Sequence, residues 1–145
     1  MVITFSSVLF GLLAIIRPLQ KNPFYIIHSA FVILAAYYVE NNIFRGTPFH
    51  SKMFLLFVLF HFISISIVTF LAYFFDKRAA QKRSWRVKET DLHTLELVGG
   101  WCAGYIAQRV LNHKTKKKKY QTVFWIILGL QLLIIYTILK FVGLI

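Results

Sequence analysis

The sequence predicts an all-α fold, a polytopic membrane helix bundle, and three observations carry that prediction. The 145-residue chain is 58% hydrophobic, well above the apolar share of a soluble domain, and its mean hydropathy is +0.65. The apolar residues gather in four runs, at 2–16, 24–39, 53–75 and 120–139. The formal charge of +12 is bunched between the runs rather than spread along them. Apolar runs joined by basic loops are the mark of a multi-pass membrane protein. We expect about four transmembrane helices in a single membrane domain over 1–145, with an N-terminal helical hairpin at 1–52 and a core at 53–145.

The first run is closed by Arg17-Pro18, and the second is opened by Asn22-Pro23 and closed by Glu40-Asn41-Asn42. A bilayer core needs about 20 helical residues at about 1.5 Å each. The third run exceeds that and the fourth nearly reaches it. The first two are short, so they predict a tight hairpin whose Arg17 and Lys21 snorkel to the headgroups. No basic region precedes the first run and no small-residue cleavage pattern follows it, so it reads as retained. Cys102 is the single cysteine. An internal disulfide and a Cys-rich zinc motif are thereby excluded, and Cys102 is expected to be buried and inert.

Between the third and fourth runs lies "LHTLELVGGWCAGYIAQRVL", at 92–111. It is apolar enough to enter a membrane, yet it carries His93, Glu96, Gln108 and Arg109 around Gly99, Gly100 and Gly104. If it does not cross, 14 of the 17 basic residues share one face, leaving Arg45, Lys52 and Lys140 opposite. If it crosses, the basic blocks on either side of it fall on opposite faces. The positive-inside rule favours the first arrangement. The segment is therefore expected to form a re-entrant or interfacial helix–break–helix on the cytoplasmic side, with the glycines supplying the break.

The charged stretch after the third run holds the candidate site. Asp76 is expected near a helix C-terminus, where the dipole disfavours an anion, so it needs a cationic partner such as Arg86 or Lys114. Trp85-Arg86 reads either as an interfacial anchor or as a bidentate anion clamp. Steps of four and three place Glu89, His93 and Glu96 on one helix face. They suit a buried polar network, with acid–base work or a metal as rival readings. In "NHKTKKKKY", at 112–120, electrostatic anchoring explains the lysines, whereas His113 and Thr115 suit a specific contact. His28, His61 and Gln131 lie inside apolar runs and are expected to hydrogen-bond between helices.

Several pieces occur in a recognisable order. They are Tyr73, Asp76, Lys77 and Ala80, then Trp85, Arg86 and Glu89, then Leu92-His93, Gly99-Gly100 and His113-Lys114-Thr115-Lys116. Over roughly 68–133 the chain resembles the bacterial membrane family catalogued as domain of unknown function 1294. The resemblance implies a bacterial inner-membrane location and no established activity. Some family members carry a cold-shock domain, which implies a nucleic-acid context; these 145 residues hold no such domain.

The functional expectation is an integral inner-membrane protein that binds an anionic ligand at its cytoplasmic face. The expected ligand residues are Asp76, Lys77, Arg86, Glu89, His93, His113, Lys114 and Lys116, with Asp76 and Glu89 orienting the cations. The ligand classes are a lipid headgroup, a nucleic acid or an acidic partner protein. A small enzyme using Glu89, His93 or His113 on a lipid-borne substrate is one rival class, so enzyme status is left open. A structural subunit or adaptor is the other. No metal and no cofactor is expected. Anionic membrane lipids are the expected partners, with a protein partner or a homo-oligomer as further options.

Overall fold

A computed structural model describes residues 21–43, 51–82 and 84–141, with side chains from residue 55 onward in the second stretch. The run at 2–16, its Arg17, and also Arg45 and Arg83 lie outside the described residues. The regular elements among the described residues are all helical: α1 Pro23–Asn42, α2 Ser51–Lys82, α3 Glu89–Leu95, a π turn Glu96–Gly100, α4 Trp101–Val110 and α5 Lys118–Phe141.

Each boundary has a local cause. Asn22 accepts from the backbone N–H groups of Phe24 and Tyr25 at 3.1 and 3.3 Å, and Pro23 occupies the first helical position, where a missing N–H costs nothing. Helix α2 runs seven residues past its apolar stretch, to Lys82. "DKRAAQK" loses hydrophobicity there but keeps good helix formers. Asp76 is therefore not at a helix end, and burial rather than a terminal dipole creates its need for partners.

Three of these helices, Pro23–Asn42, Leu55–Lys82 and Lys118–Phe141, contain windows long and apolar enough to cross a membrane. The distribution of polarity points the same way. Asn22, His28, Ser64, Thr69, Asp76, Glu96, Gln108 and Gln131 are buried, while Leu59, Ile67, Leu132, Leu133, Ile134 and Ile138 are exposed. A water-soluble protein shows the reverse. In lipid, apolar side chains cost nothing outside, and polar ones must find each other inside. These features fit a membrane protein.

Helix α2 is the centre of the assembly, touching α1, α3, the π turn and α4. Helix α5 packs by a single stripe, Tyr120, Phe124, Ile127 and Gln131, at the four- and three-residue steps that repeat one helix face.

The segment at 92–111 forms the expected helix–break–helix. Gly99 sits at φ +121°, a region that L side chains rarely adopt. Gly100 lies so close to α2 that a Cβ there would collide with Thr69 Oγ1 and stand 2.9 Å from the Leu95 carbonyl. One glycine thus turns the chain, and the next lets it press against α2.

A break in apolar surroundings leaves carbonyls that must be satisfied. Gln131 Nε2 donates to the carbonyls of Glu96 (2.9 Å) and Leu97 (2.5 Å). His61 Nε2 bonds to the Val98 carbonyl at 3.0 Å. Because a carbonyl only accepts, Nε2 carries the proton, and Nδ1 of a neutral His61 is the acceptor. His28 Nε2 donates to that atom at 3.2 Å, and Ser64 Oγ donates to His28 Nδ1 at 2.9 Å. The intramembrane histidines and Gln131 therefore hydrogen-bond between elements, as expected from the sequence. Cys102, in contrast, is exposed. It projects from α4 away from the packed face formed by Ala103, Gly104, Ala107 and Gln108.

Gly99→Ala is expected to lower stability by about 1–3 kcal/mol through backbone strain. Gly100→Ala should also destabilise, and Thr69→Gly should restore part of that loss by making room for the methyl group. Thermal unfolding in detergent, followed by circular dichroism, measures all three.

Candidate functional site

Two buried carboxylates organise the end of the bundle where α2, α3 and the loop after α4 meet. The first is Asp76, wholly buried on α2. Arg86 grips it through Nε to Oδ1 at 3.2 Å and Nη2 to Oδ2 at 3.4 Å. His113 Nε2 donates to Oδ2 at 2.7 Å, and Lys114 Nζ lies 3.2 Å from the same oxygen.

The loop reaches Asp76 because of how α4 ends. Asn112 adopts φ +46°, a left-handed conformation that asparagine tolerates. Its N–H bonds to the Arg109 carbonyl at 3.3 Å, and that of His113 bonds to the Gln108 carbonyl at 3.1 Å. This is a Schellman cap with asparagine in the usual glycine position. Lys77 adds to it, donating from Nζ to the Leu111 carbonyl. Lys114, also left-handed at φ +64°, then turns its side chain inward, where it is only 5% exposed.

Lys114 Nζ also donates to Glu89 Oε1 at 2.7 Å, and Lys117 Nζ reaches the same oxygen at 2.7 Å. Partial burial works against ionisation of Glu89, but the two ammonium groups outweigh it and hold the carboxyl down to about 2. Nearby on α3, burial pushes the Asp91 carboxyl up, with Lys88 pulling weakly the other way.

The second carboxylate is Glu96, wholly buried at the start of the π turn. His93 Nδ1 meets its Oε2 at 2.7 Å. Tyr120 donates to Oε1 at 2.8 Å, and Tyr73 also donates to Oε1. The two phenols are 2.6 Å apart, and Gln108 Nε2 donates to the Tyr73 oxygen at 2.9 Å. The His93 ring stacks on Tyr120 with centroids 4.2 Å apart. Gln121 Nε2 links this cluster to the first, reaching Gln108 Oε1 at 2.5 Å and the Lys114 carbonyl at 3.1 Å.

Residues 66–120 match the model of a family described as "Protein of unknown function (DUF1294)". The resemblance read from the motifs is thereby shown over that segment. Neither a curated protein nor a solved structure matches the chain. The DUF1294 segment holds both carboxylates and nearly all of their donors. Asn22, His28, His61, Ser64, Gln121 and Gln131 lie outside it and fasten it to α1, α2 and α5.

The sequence candidates have four different placements in the structure. Asp76, Arg86, Glu89, His113 and Lys114 come together. His93 joins Glu96 instead, and Lys77 serves as a helix cap. Lys116 is exposed beside the first group. Glu89 does not share a contact with His93, because the turn of α3 aims it at the lysine loop. Sequence reasoning missed Asn22, whose Nδ2 donates to the Asp91 carbonyl at 2.9 Å and to Thr94 Oγ1 at 2.7 Å. It also missed the roles of Tyr120, Gln108, Gln121 and Lys117. The one available signal was polar residues recurring on the inner faces of apolar helices.

Above these groups opens a hollow of about 520 Å³, lined by Arg86, Lys114, Lys116 and Lys117 with Glu89, Asn112 and Thr115. Four cations face one acid there.

Acid should loosen this end of the molecule. The folded-state pKa of Glu89, about 2, lies below its ordinary 4.5, so its stabilising contribution is present above 4.5 and disappears as pH falls through 2. Unfolding measured across that window should show a decline that Glu89→Gln flattens. Asp76→Ala should also destabilise, by about 1–3 kcal/mol, because His113 and Arg86 lose their charged acceptor while Lys114 keeps Glu89. Denaturation in detergent checks that figure.

Proposed function

We propose that this is a membrane protein that binds a phosphate-bearing anion in the basic hollow, at the cytoplasmic surface of a bacterial inner membrane. The observation that supports this reading is the composition of the hollow, four cations to one acid in about 520 Å³. That volume falls within the span of small-ligand pockets, about 300–1,000 Å³. None of its lining side chains is a hydrophobic residue, so its preferred occupant is strongly polar and negative.

The division of labour follows from the contacts. Asp76 and Glu89 are the frame: they hold Arg86, Lys114 and Lys117 in place and limit their mutual repulsion. Arg86 is gripped by Asp76 on one edge, yet its side chain is 49% exposed. Its planar fork can therefore offer the remaining edge to a phosphate. Lys117 is 52% exposed and Lys116 is exposed beside it. Asn112 and Thr115 supply neutral hydrogen-bonding groups. Lys77 and His93 are engaged elsewhere and belong to the fold rather than to this contact.

One further reading has a specific observation in its favour. Asp76, His113, Lys114 and Glu89 are paired with one another, which suits a structural subunit whose cluster only locks the loop. An acid–base role for Glu89 has less support, since a carboxyl held at about 2 is a weak base near neutral pH.

The test uses the full chain in nanodiscs of phosphatidylcholine, titrated with inorganic phosphate and with glycerol phosphate by calorimetry. Loss of a charge-assisted hydrogen bond is worth about 1.5–3 kcal/mol. Arg86→Gln or the pair Lys116→Gln/Lys117→Gln should therefore weaken binding by about tenfold or more. Unchanged binding in both variants overturns the anion reading. Absence of binding in the parent, with a partner protein co-purifying, favours the structural subunit.

A further inference from the structure

The helix-free strap at 84–88 borders two different hollows. Arg86 opens onto the basic one, and its neighbours Ser84, Trp85 and Val87 open onto another of about 510 Å³. We propose that this second hollow is a binding site for one anionic phospholipid of the surrounding bilayer. The inference stands independently of any ligand in the basic hollow.

The chemistry of the walls changes along the helix axis in the order that a lipid requires. Phe24 and Phe75 form the apolar end, with ring centroids 6.5 Å apart. Val87, only 5% exposed, and Ala79 continue the apolar wall. Arg78 and Lys82 form the other end. At about 1.5 Å per residue, Arg78 sits about 4–5 Å and Lys82 about 10 Å beyond Phe75 along α2. The headgroup layer of a bilayer is about 5–8 Å deep on each side of its hydrocarbon core, so Arg78 falls within it and Lys82 stands at its outer edge. An acyl chain against the phenylalanines therefore brings the phosphate to the cations.

Charge selects the class of lipid. Arg78 and Lys82 are four residues apart and so share one face of α2. Neither forms an ion pair among the described residues, and no acidic side chain lines the groove. An anionic headgroup such as that of phosphatidylglycerol offsets one of these two charges with nothing opposing it, whereas a zwitterionic one brings its own ammonium towards them. Trp85 is 70% exposed at the rim, where indoles favour the interface between hydrocarbon and water.

Trp85 also provides the readout. In vesicles, the full chain with Trp101→Phe and Trp125→Phe leaves Trp85 as the single indole. Phosphatidylglycerol brominated on its acyl chains is compared with brominated phosphatidylcholine at equal mole fraction. The site predicts preferential quenching by the anionic lipid, a local enrichment of about thirtyfold, since each of the two basic residues is worth about 1 kcal/mol near an anionic headgroup. Arg78→Gln/Lys82→Gln should abolish the preference. Ala79→Trp, read with lipids counted by native mass spectrometry, should abolish it too, by filling the groove with both charges retained. Lys116→Gln/Lys117→Gln should leave it intact, which separates this groove from the basic hollow. Equal quenching by the two lipids overturns the proposal. So does a preference that survives either groove variant, since attraction without a shaped site survives Ala79→Trp. If the single-indole variant fails to fold, native mass spectrometry of the chain with all its tryptophans decides instead. Preferential retention of phosphatidylglycerol over phosphatidylcholine supports the site, and equal retention overturns it.

Discussion

A helix cannot break inside apolar surroundings unless its open carbonyls find donors, and much of this structure serves that requirement. Three successive carbonyls at the break, those of Glu96, Leu97 and Val98, accept from Gln131 and His61. One donor comes from α5 and the other from α2, so satisfying the break also joins two helices to it. The Val98 carbonyl fixes the His61 tautomer, which lets His28 donate in turn and brings in α1. Polar side chains from three helices are thus tied to one glycine, Gly99, whose φ of +121° makes the break.

The buried carboxylates impose the second requirement. Glu96 is surrounded by donors from α2, α3 and α5, and Asp76 by donors from the strap and the loop after α4. An acid stripped of water needs such donors or it will not stay ionised. The Gln121–Gln108 bridge connects the two clusters through the Lys114 carbonyl. The cations that surround the basic hollow are therefore set by the same network that closes the bundle. Lys114 is the clearest case, with its carbonyl in one cluster and its ammonium in the other. Its left-handed backbone is tolerable because so many contacts determine it.

Much of the architecture was legible in the sequence. The Asn22-Pro23 opening and the glycine-centred break follow from local chemistry, whereas the need of Asp76 for a cation was expected from a helix end that is not there and comes instead from burial. The pairings across the chain were less so. Tyr73 and Tyr120 are 47 residues apart, and in apolar runs a tyrosine looks like any other aromatic until a carboxylate is placed beside it. Helical periodicity put Glu89 and His93 on one face, but the partners of each were decided by the loop packing on α3, which no local pattern encodes. The exposed side of Cys102 was hidden for a related reason. In lipid an apolar helix has no face that must be inside, so hydrophobicity alone does not orient α4.

The same consideration explains the lysine run. The positive-inside rule would account for how many lysines stand at 114 and 116–119, because any position in the block would serve an anionic leaflet equally. It does not account for their placement. Lys114 is turned inward by a cap on α4, Lys117 is held by Glu89, and Lys118 already belongs to α5. Of the cations in the block that line the hollow, Lys116 alone has no acidic partner among the described residues. An orienting block needs no acids, and Asp76 and Glu89 reduce its net charge by two. Asp76 on α2 and Glu89 on α3 hold Lys114 and Lys117 in a fixed geometry, which a block serving only to orient the chain would not require. Fixed geometry matters to a bound anion and not to a diffuse surface charge, and that difference is the ground of the site proposed above.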